Sequence, residues 1–486
     1  MNKKIKYIFI FFLALFILCS SNAAAAQYSK DFFLEISDQQ KHIPQFEIPE
    51  YDTINLRNGM KIIALENNDL PLIELKAYIN GGVINEAEYN AGVSKLIAEI
   101  MFKESQNYNH KDMKNYKAEN ALSIDLTTTK DRFELSADAL SIYKEELISL
   151  IAEVLIRPNF SGDSFYTAVE ESKRNYQQAL KSDHNIRDMY FYKNIFAGHP
   201  YAYDDDNYLK LNFLKKADSS QLEEFHQNNF IPQNTVLVIH GDFNLAELEK
   251  IFKDEFSDWN NQISKTNYPL AKANQSIFNK TILINSPDSN TALVKMGQKF
   301  YSGYFSKWVP FSLANMAYAG GSNSQLNKII KNNDYSINNI NSFVLFRKSG
   351  GSFEISFSSN PEDLVKNIDF IKEELNLLKN GERRLDKDII AETSINISNS
   401  FVNYYKDRFN LLVDEVYNSI IWNESPGFVN REFKMLNYSR KDELHEIYTN
   451  NIYPETFFNV IVGPKEKIIP QFEEAGIELE IIEINY

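Results

Sequence analysis

The sequence predicts an α+β protein of two similar halves, each a mixed or antiparallel β-sheet packed with long α-helices. Three observations predict it. Short apolar runs bounded by turn residues alternate with longer stretches whose apolar residues recur at helical spacing. That order of strands and helices occurs twice. The closing units of the halves also correspond: Pro232 precedes Gly241 by nine residues and Pro454 precedes Gly463 by nine, each enclosing an apolar strand, with an offset of 222. A chain of 486 residues is too long for one ordinary core, which agrees with two.

Residues 1–26 have the three parts of a secretory signal: Lys3, Lys4 and Lys6, then the uncharged run Tyr7 to Cys19, then small residues ending in Ala23-Ala24-Ala25-Ala26. The apolar run is too short for a comfortable membrane span of about 20 residues. Residues 27–50, polar and carrying Pro44 and Pro49, read as a loose leader. The N-terminal domain, 51–262, opens with Ile54 to Leu65, a strand segment with a turn at Asn58-Gly59. Leu72 to Ile79 is a second strand, closed by Gly81-Gly82. In Ala91 to Phe102, Val93, Leu96, Ile97, Ile100 and Met101 are apolar at helical spacing. A helix at 111–121 follows, then a hairpin of Ile124 to Thr128 and Arg132 to Ala137. Helices at 141–156, 164–182 and 218–228 lead to a buried strand, Thr235 to His240.

Residues 263–280, rich in Asn, Lys and Ser around Pro269, read as the linker. The C-terminal domain, 281–486, repeats the order. Thr281 to Asn285 and Ala292 to Gly297 are strands, and Pro310 to Ala319 is a helix ending at Gly320-Gly321. Asn339 to Phe346 and Ser352 to Ser358 form a hairpin. Helices cover 361–380 and 385–405, and Phe457 to Val462 is the closing strand.

Composition excludes several functions. Cys19 is the only cysteine and leaves with the signal, so disulfides and cysteine-ligated metals are excluded. Export without disulfides fits a bacterial periplasm. The formal charge is −15, and loss of the signal lysines makes it more negative. Nucleic acid is therefore not an expected partner, since phosphate binding needs clustered Lys and Arg. After signal cleavage no segment is long and apolar enough to span a membrane. No two of the seven histidines lie at i,i+3 or i,i+4, and no Gly-x-Ser-x-Gly elbow occurs. His240, at the end of its strand, reads as a hydrogen-bonded core residue.

The runs Leu56-Arg57-Asn58-Gly59-Met60-Lys61-Ile62-Ile63, Gly81-Gly82 with Glu86 and Gly92, Arg157-Pro158-Asn159-Phe160, His199-Pro200-Tyr201, Val236 to Asp242, and Gly320-Gly321-Ser322-Asn323-Ser324-Gln325-Leu326 follow one another in order. Together they resemble the pitrilysin/insulinase-type zinc metallopeptidase superfamily, including its mitochondrial-processing-peptidase-like members. The resemblance covers nearly the whole mature chain and implies a zinc protease-like fold. Family peptidases carry His-x-x-Glu-His on the first long helix, two imidazoles on one face binding zinc and a glutamate activating its water.

Here the matching positions are Lys95, Ala98 and Glu99. A protonated lysine has no lone pair to give, and alanine supplies no base. The downstream carboxylate ligand falls near Tyr176 to Gln178, where none stands; Glu170 and Glu171 come about a turn and a half too early. No catalytic residue, metal or cofactor is expected. Lys95 and Glu99 are expected to form an i,i+4 ion pair. The resemblance also implies peptide contacts. Lys331 takes the place of a substrate-binding Arg, and Tyr335 lies close to the position of a Tyr that alignment gives to Ile337. Asp125, Thr127 and Thr129 would rim an edge strand that accepts an extended peptide.

The expected role is a non-catalytic subunit paired with an active zinc-peptidase paralogue, helping to enclose peptides. Two alternatives stay open: a working zinc metalloendopeptidase with unusual ligands, and a stand-alone or self-associating peptide-binding scaffold.

Overall fold

The structure is a computed structural model that describes residues 45–260, 269–300, 306–333, 335–421, 423–438 and 440–484. The expected signal segment, most of the expected leader and part of the expected linker lie outside the described residues. Contacts divide the chain into two compact units that are not continuous in sequence. One holds 48–180 and 198–269; the other holds the chain up to Glu47, 181–197 and 270 onward.

The first unit is built on a six-stranded sheet. Its strands are β1 (Asp52–Asn55), β2 (Lys61–Glu66), β3 (Leu72–Asn80), β4 (Ser123–Thr128), β5 (Arg132–Leu140) and β6 (Thr235–Gly241), in spatial order β1-β2-β6-β3-β5-β4. The last strand in sequence enters the middle, parallel to β2 and antiparallel to β3. Odd-numbered residues of β3, from Ile73 to Ile79, point into the core, and even-numbered ones are more exposed. The core is completed by α1 (Val93–Ile100), α2 (His110–Glu119), α3 (Lys144–Ile156), α4 (Asp163–Ala179), α6 (Asn207–Leu214), α7 (Ser219–Asn229) and α8 (Leu245–Phe256). The helix between α4 and α6 in sequence, α5 (Asp183–Ile195), belongs to the other unit.

The second unit repeats the plan. Its strands are β7 (Thr281–Asn285), β8 (Ala292–Phe300), β9 (Ile337–Leu345), β10 (Gly351–Ser359), β11 (Phe458–Gly463) and β12 (Leu479–Ile482), in order β12-β7-β11-β8-β10-β9. The closing strand β11 again runs parallel to the first long strand and antiparallel to the second. Pro232–Asn234 and Pro454–Thr456 are matching 3-10 turns at the two strand entries. Only the outermost strand differs, antiparallel β1 in one unit and parallel β12 in the other. The helices are α9 (Trp308–Ala319), α10 (Gln325–Asn332), α11 (Leu364–Lys379), α12 (Lys387–Tyr405), α13 (Arg408–Ile421), α14 (Phe428–Tyr438), α15 (Lys441–Thr449) and α16 (Lys465–Glu474).

In this unit β7, β8 and β11 are buried almost throughout, as strands covered on both faces must be. Helix α5 packs on β8 and β11. Its Phe191 ring stacks on Phe458 at 6.1 Å. Beneath it, buried Lys295 Nζ lies 2.7 Å from Glu354 and 3.1 Å from Asp188, and the Tyr192 hydroxyl donates to Glu354 at 2.9 Å. Among the described residues no helix is long and apolar enough to cross a membrane.

Candidate functional site

Helix α1 begins at Gly92, whose φ of 95° is a left-handed conformation open to glycine, and a Cβ there would press on the Lys210 side chain. The first turn is held by Glu86. Its carboxylate accepts from Gly92 N at 2.8 Å, Ser94 N at 3.0 Å and the Ser94 hydroxyl at 2.5 Å. An anion at a helix N-terminus satisfies donors that have no intrahelical partner. Burial pushes the Glu86 carboxyl up, and these hydrogen bonds partly offset it.

Val93, Leu96, Ile97 and Ile100 fix the buried face of α1, which leaves Lys95, Ala98 and Glu99 toward the other side. The expected Lys95–Glu99 ion pair is not formed. Lys95 Nζ instead meets Asp204 Oδ1 at 2.5 Å, and Glu99 accepts a hydrogen bond from the Ser172 hydroxyl of α4 at 2.8 Å. The physical reason is partner choice. An i,i+4 pair on a solvated helix is worth only about 0.2–0.5 kcal/mol, whereas Asp204 is a largely buried carboxylate that needs a cation.

Asp204 is the centre of a lysine cluster. Lys130 Nζ lies 3.1 Å from its Oδ2 and 2.7 Å from Asp205 Oδ2, and donates to the Tyr201 carbonyl at 3.0 Å. Lys210 Nζ donates to the Asp204 carbonyl at 2.6 Å and sits 4.6 Å from the centre of the Tyr176 ring. Burial works against charge on Asp204, but Lys130, Lys95 and Lys210 outweigh it and hold the carboxyl well below its usual range. Burial likewise opposes the Lys95 charge; Asp204 overrides it and raises the ammonium above its ordinary value. Lys210 goes the other way. Burial and the nearby Lys95 charge bring it down to about 7, although Asp204, Asp205 and Glu86 pull upward. Tyr176, in the stretch where the resemblance puts the downstream ligand, covers this lysine, and burial raises its phenol.

Zinc does not fit these side chains. The first ligand position presents an ammonium held protonated, the base position is Ala98, and an added dication would meet Lys95 and Lys210. Among the described residues no group of three His, Cys, Asp or Glu side chains could hold a metal ion. His240 is hydrogen-bonded, its ring nitrogens 3.1 Å from Glu74 and 3.4 Å from Asn67.

The peptide-binding candidates are spread over both units. β4 is the terminal strand of its sheet, and α1 packs against it. Asp125 and Thr127 stand exposed on β4. Thr129 is committed to the hairpin turn: its N–H and hydroxyl donate to the Arg132 carbonyl at 2.8 and 3.1 Å, and its carbonyl accepts from Val83 N at 3.2 Å. In the other unit Lys331 is exposed in the last turn of α10. Tyr335 is stacked on Phe370 at 3.8 Å with Lys366 over its ring, while Ile337 is buried at the start of β9.

Asp204, Lys130 and Lys210 escaped the sequence reading. The run Asp204-Asp205-Asp206, two residues past His199-Pro200-Tyr201, was the available signal. Asp206 has a local task, accepting from Tyr208 N and Leu209 N to cap α6. Its two neighbours are thereby set against the lysines.

Residues 62–204 match the model of the insulinase family, peptidase family M16, and residues 216–393 match that of the peptidase M16 inactive domain. The zinc protease PqqE of Helicobacter pylori is 20% identical over 52% of this chain and 58% of its own length. The mitochondrial-processing peptidase subunit alpha of Solanum tuberosum is 22% identical over 43% of this chain and 41% of its own. The matched segments thus span little more than half of these relatives' lengths at most. A protease from Helicobacter pylori has a similar fold, with TM-score 0.74 and 15% identity over 86% of this chain and 100% of that one. A peptidase M16 inactive domain from Pseudomonas fluorescens gives TM-score 0.71 and 16% identity over 86% and 98%. With two M16 models matched in succession along a duplicated fold of the same shape, the chain is a member of the M16, insulinase-type peptidase family, of the zinc-protease-like kind that carries the inactive domain.

Proposed function

We propose that this chain is a non-catalytic M16 subunit, exported to the periplasm, that pairs with an active zinc-peptidase paralogue and helps hold or enclose its peptide substrates. The observation that carries this reading is the Lys95–Asp204 ion pair on the helix where family peptidases place their zinc ligands. The lysine cluster supplies its charge as covalent ammonium groups. These can attract a carbonyl or a carboxylate but offer no metal on which water could be ionised. The relatives include proteins named as alpha subunits, which supports a role inside an assembly. The outer edge of β4, beside α1, offers extended peptides backbone hydrogen bonds that survive loss of the catalytic side chains. A net charge of −15 favours basic peptides or a basic partner surface.

The test is a native pull-down of the tagged mature protein, with zinc and peptidase activity measured on the eluate and on the isolated chain. A zinc-containing, peptide-cleaving family member in the eluate, with neither property in the isolated chain, supports the reading. Stoichiometric zinc and cleavage by the isolated chain would make it an enzyme. Recovery of the chain alone with bound peptide would make it a scaffold.

A further inference from the structure

Phe46, at the end of the leader, is held by residues some 384 positions away in sequence. Its N–H donates to Asn430 Oδ1 at 2.7 Å, and Asn430 Nδ2 donates to its carbonyl at 2.8 Å. One carboxamide thus reads both backbone groups of a single residue, as a neighbouring strand would. Such recognition requires an extended backbone and is indifferent to the side chain.

The side chain is read separately. The Phe46 ring lies 5.7 Å from Phe401, 5.6 Å from Tyr405 and 5.2 Å from Phe433, the last two edge-on. These walls support one another. Phe401 stacks on Phe433 at 5.1 Å and meets Tyr405 edge-on at 4.7 Å, and the Tyr405 hydroxyl donates to Asp414 at 3.0 Å. Asn430 is fixed just as firmly, since Glu415 anchors the start of α14 by accepting from Gly427, Phe428 and Val429 N–H groups at 2.7–3.0 Å. The walls are therefore preformed. The occupant is not deeply set: Phe46 is only half-buried, and its neighbours Gln45 and Glu47 are exposed.

We propose that Asn430, Phe401, Tyr405 and Phe433 form a recognition site for an extended peptide carrying a phenylalanine, and that residues 45–47 are its tethered, exchangeable occupant. The tether makes the native occupant a competitor at an effective concentration on the order of millimolar, so a peptide in trans binds well only when the tether is weakened or displaced. The site lies wholly within the second unit and does not depend on pairing with a peptidase.

The test uses a fluorescein-labelled peptide of residues 40–48, read by anisotropy against the full mature chain. The Phe46→Ala variant is expected to bind it at least tenfold more tightly than the unaltered protein. Changing the peptide's phenylalanine to alanine, or adding Asn430→Ala to the protein, should each weaken that binding at least tenfold. Equal binding by Phe46→Ala and the unaltered chain, or binding indifferent to the phenylalanine, overturns the proposal. Should Phe46→Ala fail to unfold cooperatively, hydrogen exchange at the Phe46 amide of the unaltered chain decides. Faster exchange with excess peptide supports exchange of the occupant; a rate unmoved by saturating peptide overturns it.

Discussion

Asp204 shows how far a single side chain can decide what a site is for. It faces two lysines with its carboxylate and a third with its carbonyl, so Asp204→Asn leaves Lys95 without its counter-charge and Lys130 with Asp205 alone. Breaking a fully buried pair from one side costs about 3–5 kcal/mol; with Lys95 partly solvated and Lys130 still on Asp205, urea unfolding of that variant should show a smaller loss, on the order of 1–3 kcal/mol. Glu170→Gln, which removes an exposed partner of Lys173, should leave the same curve unmoved. The cluster also predicts what happens when the family motif is rebuilt. Lys95→His with Ala98→Glu and Glu99→His restores the three side chains on α1, yet Lys210 and Tyr176 remain beside them. Elemental analysis should find no stoichiometric zinc in that triple variant. His226 gives a prediction in pH. Burial beside Phe160 and Phe230 lowers it from 6.5 to about 4, so between these values the unfolded chain takes up a proton that the folded one refuses. Its contribution is full above pH 6.5 and is lost as pH falls. Stability should drop by about 2 kcal/mol more from pH 7 to pH 5 in the native chain than in His226→Phe.

Among the elements, strands and long helices were readable because their signals are local. Odd-numbered burial along β3 and the Asn58-Gly59 turn need only neighbouring residues, and every strand expected in either half is present. What sequence did not show are pairings between distant positions. The Lys95–Glu99 pair was the best local guess, and it lost to an aspartate 109 residues away because burial, invisible in a periodic pattern, sets the need for a counter-charge. Helix α5 is a second case. Its role has no local signal: β8 and β11 must lie beneath it before Lys295, Asp188, Tyr192 and Glu354 close on one another. Glu354→Gln should destabilise the protein by about 1–3 kcal/mol, leaving buried Lys295 with the partly exposed Asp188 alone, and adding Lys295→Met should recover part of that loss. Thermal unfolding of the single and double variants measures both.

For the whole molecule, duplication is the dominant fact. Two sheets of matched strand order each close with a proline-led turn and a central parallel strand. The 222-residue offset between Gly241 and Gly463 was therefore a trace of architecture, and the fold class could be read from it. The site could be read only as an absence of the family's ligands, because its new partners come from a loop with no periodicity of its own.

The placement of α5 has a consequence for how this chain is made. The helix lies in the first half of the sequence, but the second of the two strands it covers emerges only with β11, more than 260 residues later. At about 5–20 residues per second that is a wait of tens of seconds with Phe191 and its apolar neighbours uncovered. The C-terminal half produced alone from residue 281 would lack its lid, leaving Lys295 and Phe458 facing water. Such a fragment should bind the apolar dye ANS, and a synthetic peptide of residues 181–197 added to it should abolish that binding and sharpen its melting. Whatever guards the unfolded chain must therefore shield an early helix until the last strands arrive.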